Sequence, residues 1–199
     1  MAATYLHVTM TDSVRRAQER YYGHAAAITD AHGRDPLGEA EARFIADRDS
    51  FYLGSVSEHG WPYVQHRGGP KGFLKVLDPG TLAFADYRGN RQLLSTGNLH
   101  ANDRVALFLM DYKNRARLKI LGHARVEDVR DNQALAVRLA QRDGLAKAER
   151  IIIIDVVSYD WNCPKYITPR YSIEEVEESI GPLKSRIAEL EAQLRSLQA

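Results

Sequence analysis

The sequence predicts a mainly β protein with flanking helices (α+β), built as a small antiparallel barrel that a C-terminal coiled-coil-like helix follows. Between residues 50 and 160, short apolar runs rich in aromatic residues alternate with turn signals, which is typical of an antiparallel barrel. Outside that region apolar residues recur at helical spacing. We expect N-terminal helices packed on the barrel over residues 1–47, the barrel domain over 48–170 and an amphipathic helix over 171–199.

Two helices are expected before the barrel. Asp12 or Ser13 can cap a helix that runs between Thr11 and Ile28. A polar loop containing Gly and Pro follows, and then a second, short helix. The apolar face of this second helix comprises Leu37, Ala40, Phe44 and Ile45.

The strand region begins with two hairpins. The first covers residues 51–66 and turns at Glu58-His59-Gly60, and the second covers 73–85 and turns at Asp78-Pro79-Gly80. Both turns contain a glycine, which suits a tight reversal of the chain. Further strands are expected over 105–110, 118–126 and 150–157, and short helices over 93–100 and 131–140.

Composition excludes several classes of protein. The chain has 199 residues, of which 44% are hydrophobic and 27% charged, as is ordinary for a soluble globular domain. A net charge of +1 gives no general reason to expect nucleic acid or an anionic membrane as partner. The single cysteine, Cys163, excludes an internal disulfide framework, and we interpret it as a packed thiol. No apolar stretch resembles a signal peptide or a membrane span, so the expected compartment is the cytoplasm.

Two glycine-bearing runs combine cationic and amide side chains directly after strand-like stretches. They are Gln65-His66-Arg67-Gly68-Gly69-Pro70-Lys71 and Asp86-Tyr87-Arg88-Gly89-Asn90-Arg91-Gln92. Glycine lets backbone N–H groups approach an anion, and the arginine fork can bind two phosphate oxygens together. Because both runs follow β-structure rather than open a long helix, they favour a barrel that binds a phosphorylated cofactor over a P-loop or a Rossmann turn.

A wider set of motifs carries a resemblance to a known family. The motifs are Arg48–Leu53, Gly60–Gly69, Gly89–Gln92, Asn102–Val105 and Arg117–Gly122. Together they resemble the pyridoxamine 5′-phosphate oxidase-related flavin split-barrel proteins, and Asp160–Arg170 is similar to the tail of one bacterial subgroup. The resemblance implies a split β-barrel homodimer that holds one FMN at each end of the subunit interface and acts on a small-molecule substrate.

The resemblance also implies which residues bind the cofactor. Gln65, His66, Arg67 and Gly68 would run along the isoalloxazine ring and the ribityl chain. Asp86 and Asn90 would lie near the ribityl hydroxyls and the phosphate, and Arg91 with Gln92 would hold the phosphate itself. Arg117 would reach the flavin from a long strand.

The sequence departs from the oxidase itself at two places. The phosphate-binding Arg-Lys pair of that enzyme reads Arg91-Gln92 here, so phosphate binding would rest more heavily on Arg91 and on Arg67 or Lys71. The C-terminal stretch with which the oxidase grips pyridoxal phosphate has no clear match. Vitamin B6 oxidation is therefore not expected.

Several alternatives remain open from sequence alone. Each arginine taken singly could be a solvated strand end or an ion-pair partner. The protein could be an FMN-dependent oxidoreductase, a flavin-binding or sensing module without turnover, or a barrel that carries heme or a deazaflavin. Heme would need an axial ligand, for which His66 and His123 are weak candidates. The histidines show no spacing typical of a metal site.

The C-terminus carries a separate, heptad-like pattern. Steps of three and four residues connect Ile173, Val176, Ile180, Leu183, Ile187, Leu190, Leu194 and Leu197. Ile at one core position with Leu at the other favours two-stranded association. Gly181-Pro182 predicts a short lead-in helix and then a helix that begins near Pro182. The helix could pair between subunits or fold back onto its own barrel.

Overall fold

The computed structural model describes residues 3–27, 33–140, 148–161 and 165–198, and Cys163 lies outside these ranges. Within them the helices are α1 Ala3–Thr9, α2 Asp12–Tyr22, α3 Glu39–Ala46, α4 Leu94–Ala101, α5 Gln133–Leu139 and α6 Ile173–Leu197. The strands are β1 Ser50–Val56, β2 Pro62–Gly68, β3 Lys75–Asp78, β4 Thr81–Tyr87, β5 Arg104–Asp111, β6 Ala116–Asp128 and β7 Ala148–Trp161. The predicted class, mainly β with flanking helices, is confirmed.

The described strands form one antiparallel sheet in the order β2-β1-β5-β6-β7-β4-β3. Both predicted hairpins are present, as β1–β2 and β3–β4. Strand β7 is longer than the predicted 150–157, because its last residues continue to pair with β6, as far as Trp161 opposite Leu118. That pairing is set by a distant segment and has no local signal in the sequence.

The core lies inside the curled sheet and is centred on three phenylalanines. Phe51 stacks on Phe73 at 5.5 Å between ring centroids and meets Phe84 edge-on at 5.4 Å. Leu53, Leu107, Leu118, Ile120, Ile152 and Ile154 extend this cluster, and each is at most 1% exposed. Aromatic contacts of this geometry contribute about 0.5–1.5 kcal/mol beyond the area they bury.

A second apolar cluster explains the isoleucine-rich run of β7. Ile151 and Ile153 point away from the main core and pack, with Ala83 and Ala85 of β4, against Ala136 and Leu139 of α5. Strands β4 and β7 are therefore buried on both faces. A strand of this kind reads as a continuous apolar run rather than as an alternating one.

The N-terminal helices differ in how they contact the barrel. Helix α1, which the sequence did not predict, lies along β7. Helix α3 is tied to the same strand, since Trp161 Nε1 donates to Glu41 Oε1 at 2.6 Å. Helix α2 buries no residue. The prediction that it continues to Ile28 is wrong, because Gly23 takes a left-handed conformation (φ 76°) and ends the helix.

Helix α6 runs without a break through Pro182, so the predicted interruption at Gly181-Pro182 is wrong. Pro182 removes one N–H and thereby leaves the carbonyl of Glu178 without its intrahelical donor. Both residues are exposed, so water can satisfy that carbonyl. A capping box between Ser172 and Glu175 fixes the start of the helix. No described helix is long and apolar enough to cross a membrane.

Side chains, rather than backbone hydrogen bonds, join β2 to β4 across the curled sheet. Arg67 Nη1 of β2 donates to Asp86 Oδ1 of β4 at 2.6 Å, and Arg150 Nε of β7 donates to Asp86 Oδ2 at 2.9 Å. The three side chains are only 13%, 8% and 17% exposed, in that order. We call this group the Asp86 bridge. Because the two guanidinium groups are largely removed from solvent, they need the carboxylate between them to compensate their charge.

Removal of the bridging carboxylate should therefore destabilise the fold. Asp86→Ala would leave Arg67 and Arg150 without their shared partner, and we expect a loss of about 3–5 kcal/mol in the free energy of unfolding. Urea unfolding followed by circular dichroism measures this loss. Glu39→Ala is the matched control, because Glu39 and its partner Arg43 form an exposed ion pair whose loss should hardly change stability. Equal losses in the two variants would show that the bridge does not stabilise the barrel.

Candidate functional site

A cleft of about 460 Å³ opens beside the Asp86 bridge, and we call it the arginine cleft. Its walls come from alternate residues of β2, from the end of β4 with the loop behind it, from the start of α4 and from the start of β7. Six of the ten predicted site residues line it, namely Gln65, Arg67, Asp86, Asn90, Arg91 and Gln92. The structure therefore brings together most of both glycine-bearing runs.

The loop between β4 and α4, which lines this cleft, has an unusual backbone conformation at two residues. Arg91 and Leu93 have positive φ angles of 64° and 55°, a conformation that costs non-glycine residues on the order of 1–3 kcal/mol. Asn90 steadies the loop, because its Oδ1 accepts from the Gln92 N–H at 3.1 Å and its Nδ2 donates to Gln92 Oε1 at 3.1 Å. Among the described residues the Arg91 guanidinium has no hydrogen-bond or ion-pair partner. It is free to bind an anion.

Gln65 is oriented from behind by α4. The Ser95 hydroxyl, which is only 2% exposed, donates to Gln65 Oε1 at 2.8 Å. This bond uses the amide oxygen of Gln65 and leaves its NH₂ group to donate into the cleft. Residues from two distant segments thus fix one donor on the cleft wall.

His66 and Gly68 lie next to the arginine cleft rather than in it. They line an adjoining hollow of about 170 Å³ whose wall shares Arg67 and Asp86 with the larger cleft. The His66 ring packs edge-on against Tyr52 at 5.6 Å between centroids. His66 therefore belongs to the opposite face of β2.

Lys71 is not brought to the cleft and lies near the start of α6 instead. Backbone hydrogen bonds at that helix start, and more weakly the charge of Lys71, lower the pKa of Glu174 and Glu175. Lys71 therefore lies near the acidic side chains of α6 and away from the phosphate-binding candidates. Sequence alone could not show this, because the acidic pair is about a hundred residues away along the chain.

Arg117 lines a second cleft of about 540 Å³, which we call the aromatic cleft. Its other lining residues are Tyr52, Val64, Phe108, Met110, Tyr112, Tyr166, Ile167, Thr168 and Arg170. The Arg117 guanidinium lies 5.5 Å from the centre of the Phe108 ring, and its Nε is buried without a partner among the described residues. Burial, and then the neighbouring Tyr52 hydroxyl, raise the pKa of Tyr112, so its phenol stays protonated at neutral pH.

The two clefts lie on opposite faces of β2. Gln65 and Arg67 point into the arginine cleft, whereas Val64 and His66 point to the face that carries the aromatic cleft. This separation follows from the alternation of side chains along a strand. Within one chain, Arg117 is therefore not brought together with the phosphate-binding candidates.

The structure adds Arg150 and Ser95 to the site. Arg150 lines the arginine cleft and completes the Asp86 bridge, and Ser95 orients Gln65. In the sequence, Arg150 appears only as a charged residue ahead of an isoleucine run, with nothing that links it to Asp86. Among the described residues, no group of three or more His, Cys, Asp or Glu side chains could hold a metal ion.

Comparison with known proteins places this geometry in a family. The model of the pyridoxamine 5′-phosphate oxidase family matches residues 37–156, which include both glycine-bearing runs and all of β1 to β6. No match was found among curated protein sequences.

Two solved structures share the fold at a TM-score of 0.50 each. A candidate pyridoxamine 5′-phosphate oxidase from Lactobacillus delbrueckii is 21% identical, and the match covers 63% of this chain and 94% of that one. HupZ from Group A Streptococcus is 11% identical, with 68% and 100% covered. Since the family model spans more than half of the chain, the protein belongs to the pyridoxamine 5′-phosphate oxidase family.

Proposed function

We propose that the protein is an FMN-binding flavoprotein that acts as an FMN-dependent oxidoreductase on a small molecule. The observation that carries the proposal is the arginine cleft, which Arg91 lines together with two arginines that the Asp86 bridge holds in place. The family assignment supports the same cofactor class.

The charge of the arginine cleft suits a phosphate monoester. Four arginines line it, at positions 67, 88, 91 and 150, against the two carboxylates of Asp86 and Glu149. Four positive charges less two negative charges leave a surplus of two. A phosphate monoester carries about −1.5 to −2 at neutral pH, which such a surplus would neutralise. The cleft volume also falls within the range of roughly 300–1,000 Å³ that is usual for ligand sites.

An unpartnered donor supports the same conclusion. Arg67 Nε is buried and has no hydrogen-bond partner among the described residues, although Nη1 of the same side chain is bound to Asp86. A buried donor left in this way costs about 1–3 kcal/mol. Ligand binding would remove that cost if it shifts the guanidinium so that a ribityl or phosphate oxygen reaches this Nε. Asp86, whose two oxygens already accept from arginines, would act mainly by positioning them.

The aromatic cleft supports a homodimer with the cofactor at the subunit interface. The sheet face that carries it exposes large apolar side chains, including Val64 at 64% and Tyr52 at 39%. An isologous dimer would cover this face and produce two equivalent sites. In that arrangement the Arg117 of one subunit would reach the flavin of the other, which one chain alone does not allow. Members of the family are typically dimeric.

Within this site the chain's own residues bind and orient the cofactor. Arg91, Arg67 and Arg150 would hold the phosphate, and the NH₂ group of Gln65 would donate to the ribityl or ring portion. The charge of Arg117 would favour a negatively charged ring over a neutral one. When bound, FMN supplies the electron transfer, and the protein tunes it through such contacts.

Loss of Arg91 should weaken FMN binding selectively. A charge-assisted hydrogen bond contributes about 1.5–3 kcal/mol, so Arg91→Ala should lower FMN affinity by about 10- to 100-fold. Riboflavin, which lacks the phosphate, should be nearly indifferent. Fluorescence titration of both ligands measures this. Arg130→Ala serves as control, since Arg130 pairs with Asp128 outside the cleft. Equal losses for both ligands, or none for either, would exclude Arg91 as the phosphate ligand.

The protein should not oxidise pyridoxamine phosphate at a useful rate. The C-terminal grip of the oxidase has no clear counterpart in the sequence, and a site that does not orient its substrate forgoes most of the advantage of proximity. An assay of pyridoxal phosphate formation by the FMN-loaded protein checks this. Steady turnover would overturn the prediction.

The dimer should survive removal of α6. Helix α6 has no buried residue, so deletion after Arg170 should lower dimer stability while the protein remains a dimer that binds FMN. Sedimentation together with flavin absorbance measures both properties. A monomer that still holds one FMN per chain would contradict the shared sites, since each subunit would then complete a site alone.

A further inference from the structure

The part of the chain that the structure describes leaves the apolar face of helix α6 mostly exposed, with only Ile180 half-buried. The helix has 25 residues, about 37 Å at 1.5 Å per residue, and none of them is buried. Large apolar side chains on this face are exposed by between 42% and 83%, namely Ile173, Val176, Leu183, Ile187, Leu190, Leu194 and Leu197. An exposed apolar helix face of this length is typical of a helix that packs against a partner.

We propose that α6 pairs with α6 of a second copy of this chain as a parallel, in-register, two-stranded coiled coil. The proposal shares with the proposed function only the statement that the protein is a dimer. Its main evidence is the heptad pattern and the charges of α6, and the position from which the helix leaves the barrel agrees with it.

The core positions favour two parallel strands. With Ile173 as the first a position, the a residues are Ile173, Ile180, Ile187 and Leu194, and the d residues are Val176, Leu183, Leu190 and Leu197. Three of the four a residues are isoleucine and three of the four d residues are leucine, a combination that favours a parallel dimer over larger bundles. Gly181 and Pro182 fall at b and c, away from the seam, so the missing N–H of Pro182 does not touch the contact surface.

The charges beside the seam suit the parallel orientation. In a parallel pair each g residue faces the e residue five positions later on the partner. This rule places Arg186 opposite Glu191, Ser179 opposite Lys184, and Gln193 opposite Gln198. None of these is a like-charge pair, and the first is an ion pair that occurs twice by symmetry. In the single chain Arg186 pairs with Glu189 at 3.0 Å, on the outer side of the same helix turn.

The antiparallel alternative is disfavoured by the same residues. Full antiparallel overlap places Ile187 opposite Leu183 and sets e against e and g against g. Glu177 then faces Glu191, Lys184 faces Lys184, and Arg186 faces Arg186. Every charged pair in that arrangement is repulsive. Charge patterns of this kind select one orientation by penalising the other.

The start of α6 lies where such a pair could continue the barrel dimer. Lys113, in the β5–β6 turn, binds Glu175 at 3.3 Å, and the segment just before the helix lines the aromatic cleft through Tyr166, Ile167, Thr168 and Arg170. The helix therefore leaves from the sheet face proposed as the subunit interface. Three and a half heptads are short for a stable coil on their own. Attachment to an existing dimer raises their effective concentration, so the coil adds stability to that dimer.

Cysteine cross-linking of the full-length protein tests the orientation. Cys163 is the only native cysteine, so Cys163→Ser gives a clean background. In that background Leu190→Cys, at d, should form a disulfide-linked dimer under mild oxidation, because d residues face each other in a parallel pair. Arg195→Cys, at b, is the matched control, and its cross-linking rate should be lower by about tenfold or more. In full antiparallel overlap residue 190 would face residue 180, about 15 Å from its counterpart, and would not cross-link.

A charge-swap double-mutant cycle provides a second test that does not depend on cross-linking. Arg186→Glu and Glu191→Arg should each raise the dissociation constant of the dimer by about three- to tenfold, and the double variant should restore it. The two positions are five residues apart and do not face each other on one helix, so recovery reports contact between chains. Sedimentation equilibrium measures the constants.

The outcomes separate this proposal from the proposed function. Equal cross-linking at 190 and 195, no cross-linking at 190, or a double variant as weak as the sum of the singles would overturn the parallel coil. An FMN-loaded dimer with any of these results leaves the proposed function intact. Cross-linking at 190 in a protein that binds no FMN would support the coil and overturn the flavin site alone.

Discussion

The shared carboxylate of Asp86 is the contact on which the arrangement of this molecule depends. Strands β2 and β4 are far apart in the order of the sheet, and the described strands show no backbone pairing between them. Asp86 nevertheless joins them by accepting from Arg67 and from Arg150 of β7. Because ion pairs rather than apolar packing close the barrel at this point, the charged side chains of the Asp86 bridge line the cleft beside it.

The same contact makes the cleft suitable for an anion. Asp86 neutralises part of the charge of Arg67 and Arg150 and fixes both guanidinium groups, and the strained loop adds Arg91 to the lining of the same cleft. A binding site gains affinity when its donors are already in place, since less entropy is lost when the ligand binds. The alternation of side chains along β2 places Val64 on the other face of that strand, where it lines the aromatic cleft together with Arg117 of β6. Under the proposed function each cleft would be one part of a cofactor site that two subunits share.

Local features were predictable from the sequence, and long-range ones were not. The β1–β2 and β3–β4 hairpins follow from turn residues next to them, and six site residues from two glycine-bearing runs do meet in one cleft. Arg150 was missed because its partner Asp86 is 64 residues away. The predicted break at Pro182 failed because the rule for proline describes the loss of one hydrogen bond, which an exposed helix can transfer to water. Lys71 and Arg117 do not line the arginine cleft, because a sequence motif does not determine which distant segments its side chains will meet.

The absorption spectrum of the freshly purified full-length protein tests the flavin site most directly, combined with release of the bound chromophore on denaturation. The proposed site predicts flavin absorption bands and the release of FMN, rather than riboflavin, at about one molecule per chain. A Soret band would instead indicate heme. A colourless protein that does not take up added FMN would contradict the assignment of the arginine cleft as a cofactor site.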